Sequence, residues 1–229
     1  MIGNIHSIET LGLVDGPGIR IVIFMQGCSL RCLFCHNPDT WQRESNFKMT
    51  PLEVVTLICK YKNYIMNNGG VTFSGGEPLF QSEFLIETLK LCKKNKIHTC
   101  IDTSGVGTNI EEVLKYTDLV IFDIKDVNDK YQYLTGKKID KSLEFLKICQ
   151  KLNKKMWIRQ VIIPGINDNE KYILELKKFI SYLKNVEKVE LLPYHTKGVS
   201  KYKKINIRYQ LDGIHDMDVD KCKEFERLL

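Results

Sequence analysis

Long apolar runs are missing from this chain: no stretch of its 229 residues approaches the roughly 20 apolar positions of a membrane-spanning helix. The opening residues MIGNIHSIETLGLVDGPG lack a basic start followed by an apolar core. No secretory signal is therefore expected, and the chain is read as cytoplasmic. Internal repeats, low-complexity segments and an evident linker are also absent, so residues 1–229 are read as one domain, long enough to bury a proper core. Strong charge of one sign is lacking too. Lys plus Arg is 34 against 28 for Asp plus Glu, a net +6, and the cations are scattered, with pairs such as Lys93-Lys94 and Lys177-Lys178, the pattern of a solvated surface. One denser run, Lys197 to Arg208, is compatible with a nucleic-acid patch or with a loop that docks an acidic partner. No nucleic-acid motif accompanies it, so it reads as plain surface, and neither a nucleic-acid nor a membrane partner is expected.

Cysteine is what the chain does have. Eight thiols in a reducing compartment favour metal or redox chemistry over structural disulfides. Cys59, Cys92, Cys100, Cys149 and Cys222 lie singly in apolar segments and read as buried fillers. The other three share the stretch CSLRCLFCHNPDTW, from Cys28 through Cys32, Cys35 and His36 to Trp41. Cys32 to His36 spells C-x-x-C-H, a c-type haem attachment pattern, but that chemistry needs export and leaves Cys28 unexplained. A structural zinc needs four ligands, and the only fourth candidate, His36, is adjacent to Cys35, where tetrahedral closure is awkward. Three thiols spaced C-x3-C-x2-C suit a [4Fe–4S] cluster, in which one iron keeps no protein ligand and stays open to chemistry.

After residue 50 short β-rich runs alternate with longer amphipathic ones. Thr50-Pro51-Leu52-Glu53 is a capping box, with Leu52, Val55, Ile58 and Ile65 at helical spacing beyond it. Strands are expected at Ile21–Met25, Val71–Ser74, His98–Thr103, Leu119–Lys125, Lys155–Ile163 and Val189–Leu192. Helices are expected from about Gln81 to Asn95, after a cap at Asn109, from Asp129 to Asn153, from Asn169 to Leu183 and from Val219 to Leu228. Six strands alternating with helices imply a parallel α/β sheet, and the pattern alone allows a partly open barrel or a doubly wound sheet. Cys28, Gly75-Gly76-Glu77, Asp102-Thr103, Asp123 with Lys125, Arg159 and His195 all fall at or near the C-terminal ends of these strands. That edge is where parallel α/β proteins place their active sites.

Cys28-x3-Cys32-x-Phe34-Cys35 resembles the radical S-adenosylmethionine signature, and Gly75-Gly76-Glu77-Pro78 looks like its companion glycine motif. Val14-Asp-Gly-Pro-Gly-Ile-Arg20, Asp102-Thr-Ser-Gly105, Asp123-Ile-Lys125, Trp157-Ile-Arg159 and Leu191-Leu-Pro-Tyr-His195 extend the likeness over nearly the whole chain. Together they resemble the glycyl radical enzyme activating enzymes, most of all those that act on pyruvate formate-lyase. The resemblance implies a partial TIM barrel, (β/α)6, open on one side to admit a loop of another protein. It also implies a [4Fe–4S] cluster on Cys28, Cys32 and Cys35 and S-adenosyl-L-methionine as cosubstrate. One electron would cleave the latter reductively, and the resulting 5′-deoxyadenosyl radical would take a hydrogen atom from the Cα of a glycine. Glycine suits this attack because no side chain blocks approach.

By the same resemblance Phe34, Cys35 and His36 would lie at adenine, and His195 at ribose or adenine. Gly75 and Gly76 would let the backbone approach the methionine portion, with Glu77 beside them. Asp102 would face the ammonium and sulfonium, and Asp123, Ile124 and Lys125 would lie near the ligand, Lys125 at its carboxylate. Asp102, Thr103, Asp123 and the Ile121 backbone resemble a monovalent-cation site. Arg159 would face the cosubstrate and Asp15 the protein substrate. No second cysteine group is present, so a reduced flavodoxin or ferredoxin is the implied electron donor, and a monomer is expected. Pro78-Leu79 follows the general radical-enzyme pattern more closely than that of some pyruvate formate-lyase activators, which keeps another glycyl radical enzyme, or a small molecule as in deazapurine synthases, as alternatives. A zinc-stabilised nucleic-acid-binding module is the alternative of a different class.

Overall fold

Eight strands form one continuous sheet in the computed structural model, which describes residues 1–229, in the order β3-β1-β2-β4-β5-β6-β7-β8. β1 (Gly3–Gly12) pairs antiparallel with β2 (Arg20–Met25) and with β3 (Phe47–Met49). From β2 onward every pairing is parallel and follows chain order through β4 (Gly70–Gly75), β5 (Thr99–Thr103), β6 (Leu119–Ile124), β7 (Lys155–Ile162) and β8 (Val186–Pro193). A doubly wound sheet would reverse its strand order at a switch point. This one does not, so the six parallel strands make a partial (β/α)6 barrel, open between β3 and β8. The two antiparallel strands, β1 and β3, were not among the six expected. β1 shows no clean alternation of buried and exposed residues, and β3 is three residues long, too short to carry a period.

Strand side chains alternate between two environments. Ile101, Val120, Phe122, Ile124, Met156 and Ile158 enter the main core under the helices, where Phe122 stacks on Phe145 at 5.7 Å. Cys100, Leu119 and Ile121, with Trp157 against them, form a separate small cluster within the barrel. Both faces are apolar at this level, which is why the strands read as near-continuous hydrophobic runs. Two residues further along three of the strands the inward series turns charged: Asp102 after Cys100, Asp123 after Ile121, Arg159 after Trp157.

The helices are α1 (Pro51–Lys60), α2 (Lys62–Ile65), α3 (Ser82–Lys94), α4 (Ile110–Lys115), α5 (Tyr131–Thr135), α6 (Asp140–Lys151), α7 (Glu170–Ser181), α8 (Val199–Lys204) and α9 (Val219–Glu226). The capping box at Thr50 forms, with Glu53 Oε2 accepting from Thr50 N at 2.7 Å and Thr50 Oγ1 accepting from Glu53 N at 3.3 Å. The run beyond it breaks at Tyr61, and Leu52 is 65% exposed while Val54 takes the buried position. The expected cap at Asn109 does not form. Asn109 adopts the left-handed region at φ +53 and its side chain donates to Ser82 Oγ at 3.2 Å instead. The helical stretch expected from Asp129 to Asn153 is two helices, α5 and α6, separated by Gly136 at φ +72. α8 has no counterpart among the expected elements. α9 covers the exposed edge of β8, where Glu226 Oε1 accepts from Leu191 N at 3.0 Å. All eight cysteines are free; Cys92, Cys100, Cys149 and Cys222 are buried as expected, and Cys59 is half-buried. No helix is long and apolar enough to cross a membrane.

Candidate active site

A cavity of 430 Å³ opens at the C-terminal ends of the parallel strands, a volume suited to a nucleoside-sized ligand. Cys28, Cys32 and Cys35 reach it from the loop after β2. That loop is held at several points: Gly27 N donates to Thr40 O at 2.8 Å, Arg31 N to Thr135 O at 2.8 Å and Leu33 N to Leu134 O at 2.9 Å. Cys35 N closes a turn onto Cys32 O at 3.1 Å. Burial pushes the Cys28 and Cys32 thiols up to about 12, and it raises Cys35 as well. Three thiols this reluctant to ionise in the protein alone become thiolates only where a metal replaces the proton. No three His, Cys, Asp or Glu side chains converge closely enough to hold a single ion. The three thiols line one cavity, a donor set that would hold a [4Fe–4S] cluster with one iron left open.

The remaining wall comes from the strand ends. Gly75 and Gly76 line it, yet their lack of side chains answers first to the neighbouring strand. A Cβ at Gly75, whose φ is +104, would lie 2.4 Å from Met25 N, and one at Gly76 would lie 2.4 Å from Gly27 O. The glycines therefore fit β4 against β2 and the start of the cysteine loop. Glu77 is buried behind them and spends both oxygens on protein donors: Leu79 N at 3.2 Å, the Thr103 hydroxyl at 2.5 Å, and Ser104 N and Oγ at 2.9 and 2.6 Å. It ties the β4 loop to the β5 loop rather than presenting a free carboxylate to a ligand.

Asp102 and Asp123 face the cavity from β5 and β6. Burial pushes the Asp102 carboxyl up to about 6, against the pull of Arg159, with Asp123 adding to the rise. Asp123 is paired with the Lys125 ammonium, which also lies 5.5 Å from the centre of the Phe34 ring. Burial alone would lower Lys125; Asp123 and Cys32 outweigh it and hold the ammonium well above its ordinary range. Thr103 Oγ1 is committed to Glu77, and Ile121 lies in the small cluster inside the barrel, in register with Asp102. Of the groups that resemble a monovalent-cation site, Asp102, Thr103 and Asp123 line the one cavity, with Lys125 paired to Asp123.

On the same cavity, His36 and His195 stack in parallel, ring centres 4.0 Å apart and 7° from coplanar. His36 bonds through Nε2 to His195 O at 3.1 Å, and His195 Nδ1 is buried without a partner. Asp123 Oδ1 is the second unpartnered buried polar atom in this wall. Asp15 reaches the cavity from the β1–β2 loop, its carboxyl raised by burial despite Arg159 and Arg20 nearby. Two expected ligand residues lie off the wall. Ile124 turns into the core under the helices. Arg159 bonds Glu190 at 2.9 Å and the Val14 carbonyl and stands 3.9 Å from Asp102, so it anchors the Asp15 loop and the carboxylate instead of lining the space.

Other contributors were not anticipated. Arg20 is fully buried with no carboxylate partner, its guanidinium donating to Thr72 Oγ1 at 3.0 Å, to Val71 O at 2.5 Å and to Pro17 O at 3.4 Å and meeting His98 Nδ1 at 3.2 Å. Thr72 Oγ1 in turn donates to Asp15 O at 2.6 Å, so the pair fixes the loop from below. α8 lies against the cysteine loop: Tyr202 donates to Cys35 O at 3.0 Å, and Lys201 reaches Asn37 Oδ1 at 2.6 Å. Gly198 is pressed so closely on the loop that a Cβ there would fall 2.9 Å from His36 Cα. The basic run is therefore more than bland surface, since it closes the upper rim between the end of β8 and the loop after β2. An aromatic residue inside a charged run was the available signal.

The family model of the Radical SAM superfamily matches residues 22–176. The pyruvate formate-lyase-activating enzyme of Clostridium pasteurianum is 52% identical over 232 residues, spanning 100% of this chain and 98% of that protein. Among solved structures, a domain of the pyruvate-formate lyase-activating enzyme of Bacteroides vulgatus is 27% identical, with a TM-score of 0.57 over 70% of this chain and 92% of that one. Streptococcus suis SuiB bound to its precursor peptide SuiA shares the fold at a TM-score of 0.68 and 22% identity, over 93% of this chain and 46% of that one.

Proposed function

Because this chain belongs to the Radical SAM superfamily and, within it, to the family of the pyruvate formate-lyase-activating enzymes, we propose that it activates pyruvate formate-lyase by placing a glycyl radical on it under anaerobic conditions. When bound, the [4Fe–4S] cluster supplies the electron that cleaves S-adenosyl-L-methionine reductively, the event from which hydrogen abstraction at a glycine Cα follows. The observation that carries the reading is the cavity itself: three thiols from one loop share a wall with a half-buried cation, two inward carboxylates and a histidine stack.

The roles of the chain's own residues follow from charge and shape. Cys28, Cys32 and Cys35 would hold the cluster. Lys125, ionised and already oriented by Asp123, pairs with the carboxylate of the cosubstrate, and Asp102 stands where a bound ammonium and sulfonium would keep it ionised. Phe34 and the His36–His195 pair offer flat faces for adenine, with His195 Nδ1 free to accept or donate at its edge. Gly75 and Gly76 contribute backbone groups, held in place by Glu77. Arg159 positions the loop that carries Asp15, which faces the incoming protein segment through the open side of the barrel. A reduced flavodoxin or ferredoxin supplies the electron, and residues 1–229 act as one radical domain, as a monomer, in the cytoplasm.

The test uses pyruvate formate-lyase carrying glycine deuterated at Cα, with reconstituted protein, dithionite and S-adenosyl-L-methionine. Deuterium recovered in 5′-deoxyadenosine supports the assignment of a glycine target. Cofactor cleavage with no deuterium transfer would point instead to another substrate.

A further inference from the structure

Three carboxylates act on the guanidinium of Arg159, and one of them, Glu190, has no part in the chemistry above. Arg159 on β7 and Glu190 on β8 are in direct register, so their side chains share a face of the sheet. Each nitrogen of the guanidinium has its own partner. Nε donates to Glu190 Oε2 at 2.9 Å and Nη2 donates to the Val14 carbonyl, while Nη1 stops 3.9 Å from Asp102 Oδ2, beyond hydrogen-bond reach. Asp102 Oδ2 accepts from Ser74 Oγ at 2.8 Å instead. Asp15, next in the chain to Val14, supplies the third negative charge. Glu190 is itself held in place: Lys188 Nζ reaches its Oε1 at 2.6 Å and lies 4.7 Å over the ring of Trp157, which packs on the small cluster inside the barrel. Burial would raise the Glu190 carboxyl, but Lys188 and Arg159 hold it below its ordinary range, so it is a fixed anion at neutral pH.

We infer that Glu190 is a positioning residue: it holds Arg159 on the loop that carries Asp15 and keeps the guanidinium from closing onto Asp102, so that this carboxylate stays open to the positive groups of S-adenosyl-L-methionine. The inference rests on the roles given above to Asp102 and Asp15. Bonds at Nε and Nη2 fix the plane of the guanidinium, so Nη1 cannot close on Asp102 unless one of them is given up. With Glu190 absent that restraint is lost, and the anions left around the guanidinium are Asp102 and Asp15, both partly shielded from water, where attraction is stronger than in solution. A hydrogen-bonded pair of Arg159 and Asp102 would neutralise the carboxylate that is to meet an ammonium and a sulfonium, and the ligand would have to break it. The same movement frees the Val14 carbonyl, and with it the backbone on which Asp15 is set. One carboxylate on the last strand thus serves both the cosubstrate and the protein substrate by acting through Arg159.

Reconstituted wild type is compared with Glu190→Ala, Glu190→Gln and a remote control, Glu111→Ala, which loses the same charge and a surface ion pair with Lys151 at 3.0 Å. Affinity for S-adenosyl-L-methionine is measured by anaerobic isothermal titration, KM and kcat for pyruvate formate-lyase under dithionite by growth of the glycyl radical signal, and Tm by circular dichroism. In Glu190→Ala the expected result is affinity for S-adenosyl-L-methionine about 10-fold weaker and a KM for pyruvate formate-lyase about 10-fold higher, with kcat at saturation within about twofold of wild type. Glu190→Gln, whose amide oxygen can still accept from Arg159 Nε, should recover most of both losses. A residue that only helped the chain to fold would lower Tm and kcat and leave both affinities in place, and that result in Glu190→Ala would overturn the inference. Equal losses of affinity in Glu111→Ala would overturn it too. Failure of the wild type to place a radical on pyruvate formate-lyase would count against the functional reading instead; the titration with S-adenosyl-L-methionine needs no protein substrate and decides the inference by itself.

Discussion

Replacing Glu77 by Gln is the most direct probe of how the site is held. The carboxylate receives four donors: Leu79 N and the Thr103 hydroxyl on Oε1, Ser104 N and Oγ on Oε2. In glutamine one of those oxygens becomes an NH2. The hydroxyl on that side can rotate to accept, but the backbone N–H beside it cannot. Whichever way the amide turns, one buried N–H faces another donor. An orphaned buried donor costs about 1–3 kcal/mol, and the bonds that remain lose the strengthening of a charged acceptor, about 1 kcal/mol each. Relief from burying a charge offsets part of this, since burial raises the Glu77 carboxyl. A net loss of about 2–4 kcal/mol is expected, which for a chain of this length lowers Tm by roughly 5–15 °C. Circular dichroism on the reconstituted protein under argon measures it. A Tm within 2 °C of wild type, with Gly75-Gly76 still binding S-adenosyl-L-methionine normally, would refute the idea that Glu77 ties the β4 and β5 loops together.

Lys125→Met removes the cation paired with Asp123 and should weaken S-adenosyl-L-methionine binding by about 30-fold, roughly 2 kcal/mol, in isothermal titration, with partial rescue by Arg. Tyr202→Phe loses the bond to Cys35 O, about 1 kcal/mol, and should speed loss of iron to a chelator several-fold while leaving the far-ultraviolet spectrum unchanged; an unaltered release rate would count against a seam that holds the cysteine loop. Cys92 and Cys149, buried with thiols pushed up to about 12, make stability depend on alkaline pH. Their folded-state values lie above the unfolded ones, so above about pH 9 the unfolded chain releases protons that the native one keeps, and stability falls as pH rises, by about 1.4 kcal/mol per pH unit for each thiol. Urea midpoints measured at pH 9 and pH 10 should therefore diverge more in wild type than in Cys92→Ala, and equal slopes would contradict the burial of that thiol.

Local chemistry was legible in the sequence where the residues concerned are neighbours in the chain or mark a strand end. Cys28, Cys32 and Cys35 announce themselves by spacing, and Asp102, Asp123 and Lys125 by polarity at the end of apolar runs, and all six line one cavity. The six parallel strands were visible for the same reason, as short apolar runs between helical ones. Contacts set by the closing of the barrel were not visible. Tyr202 and Cys35 are 167 residues apart, and nothing local marks either as the other's partner. Glu77 belonged to a motif that suggested a ligand, yet its oxygens are taken by Thr103 and Ser104, which come from the next strand. Ile124 was misplaced by one step of the strand alternation, which sends it to the helix layer while Asp123 and Lys125 face the cavity. The glycines were recognised for what they admit, whereas their first constraint is the backbone of β2.

Electron paramagnetic resonance on pyruvate formate-lyase tests the central claim most directly. Reconstituted protein, dithionite, S-adenosyl-L-methionine and pyruvate formate-lyase are mixed anaerobically, with wild type beside Cys28→Ser, Cys32→Ser and Cys35→Ser. A glycyl radical signal in the wild-type sample, absent with each of the three variants and retained with Cys92→Ala, is the predicted result. A wild-type sample with full iron and sulfide content, active in cofactor cleavage, that leaves pyruvate formate-lyase without a radical would contradict the account.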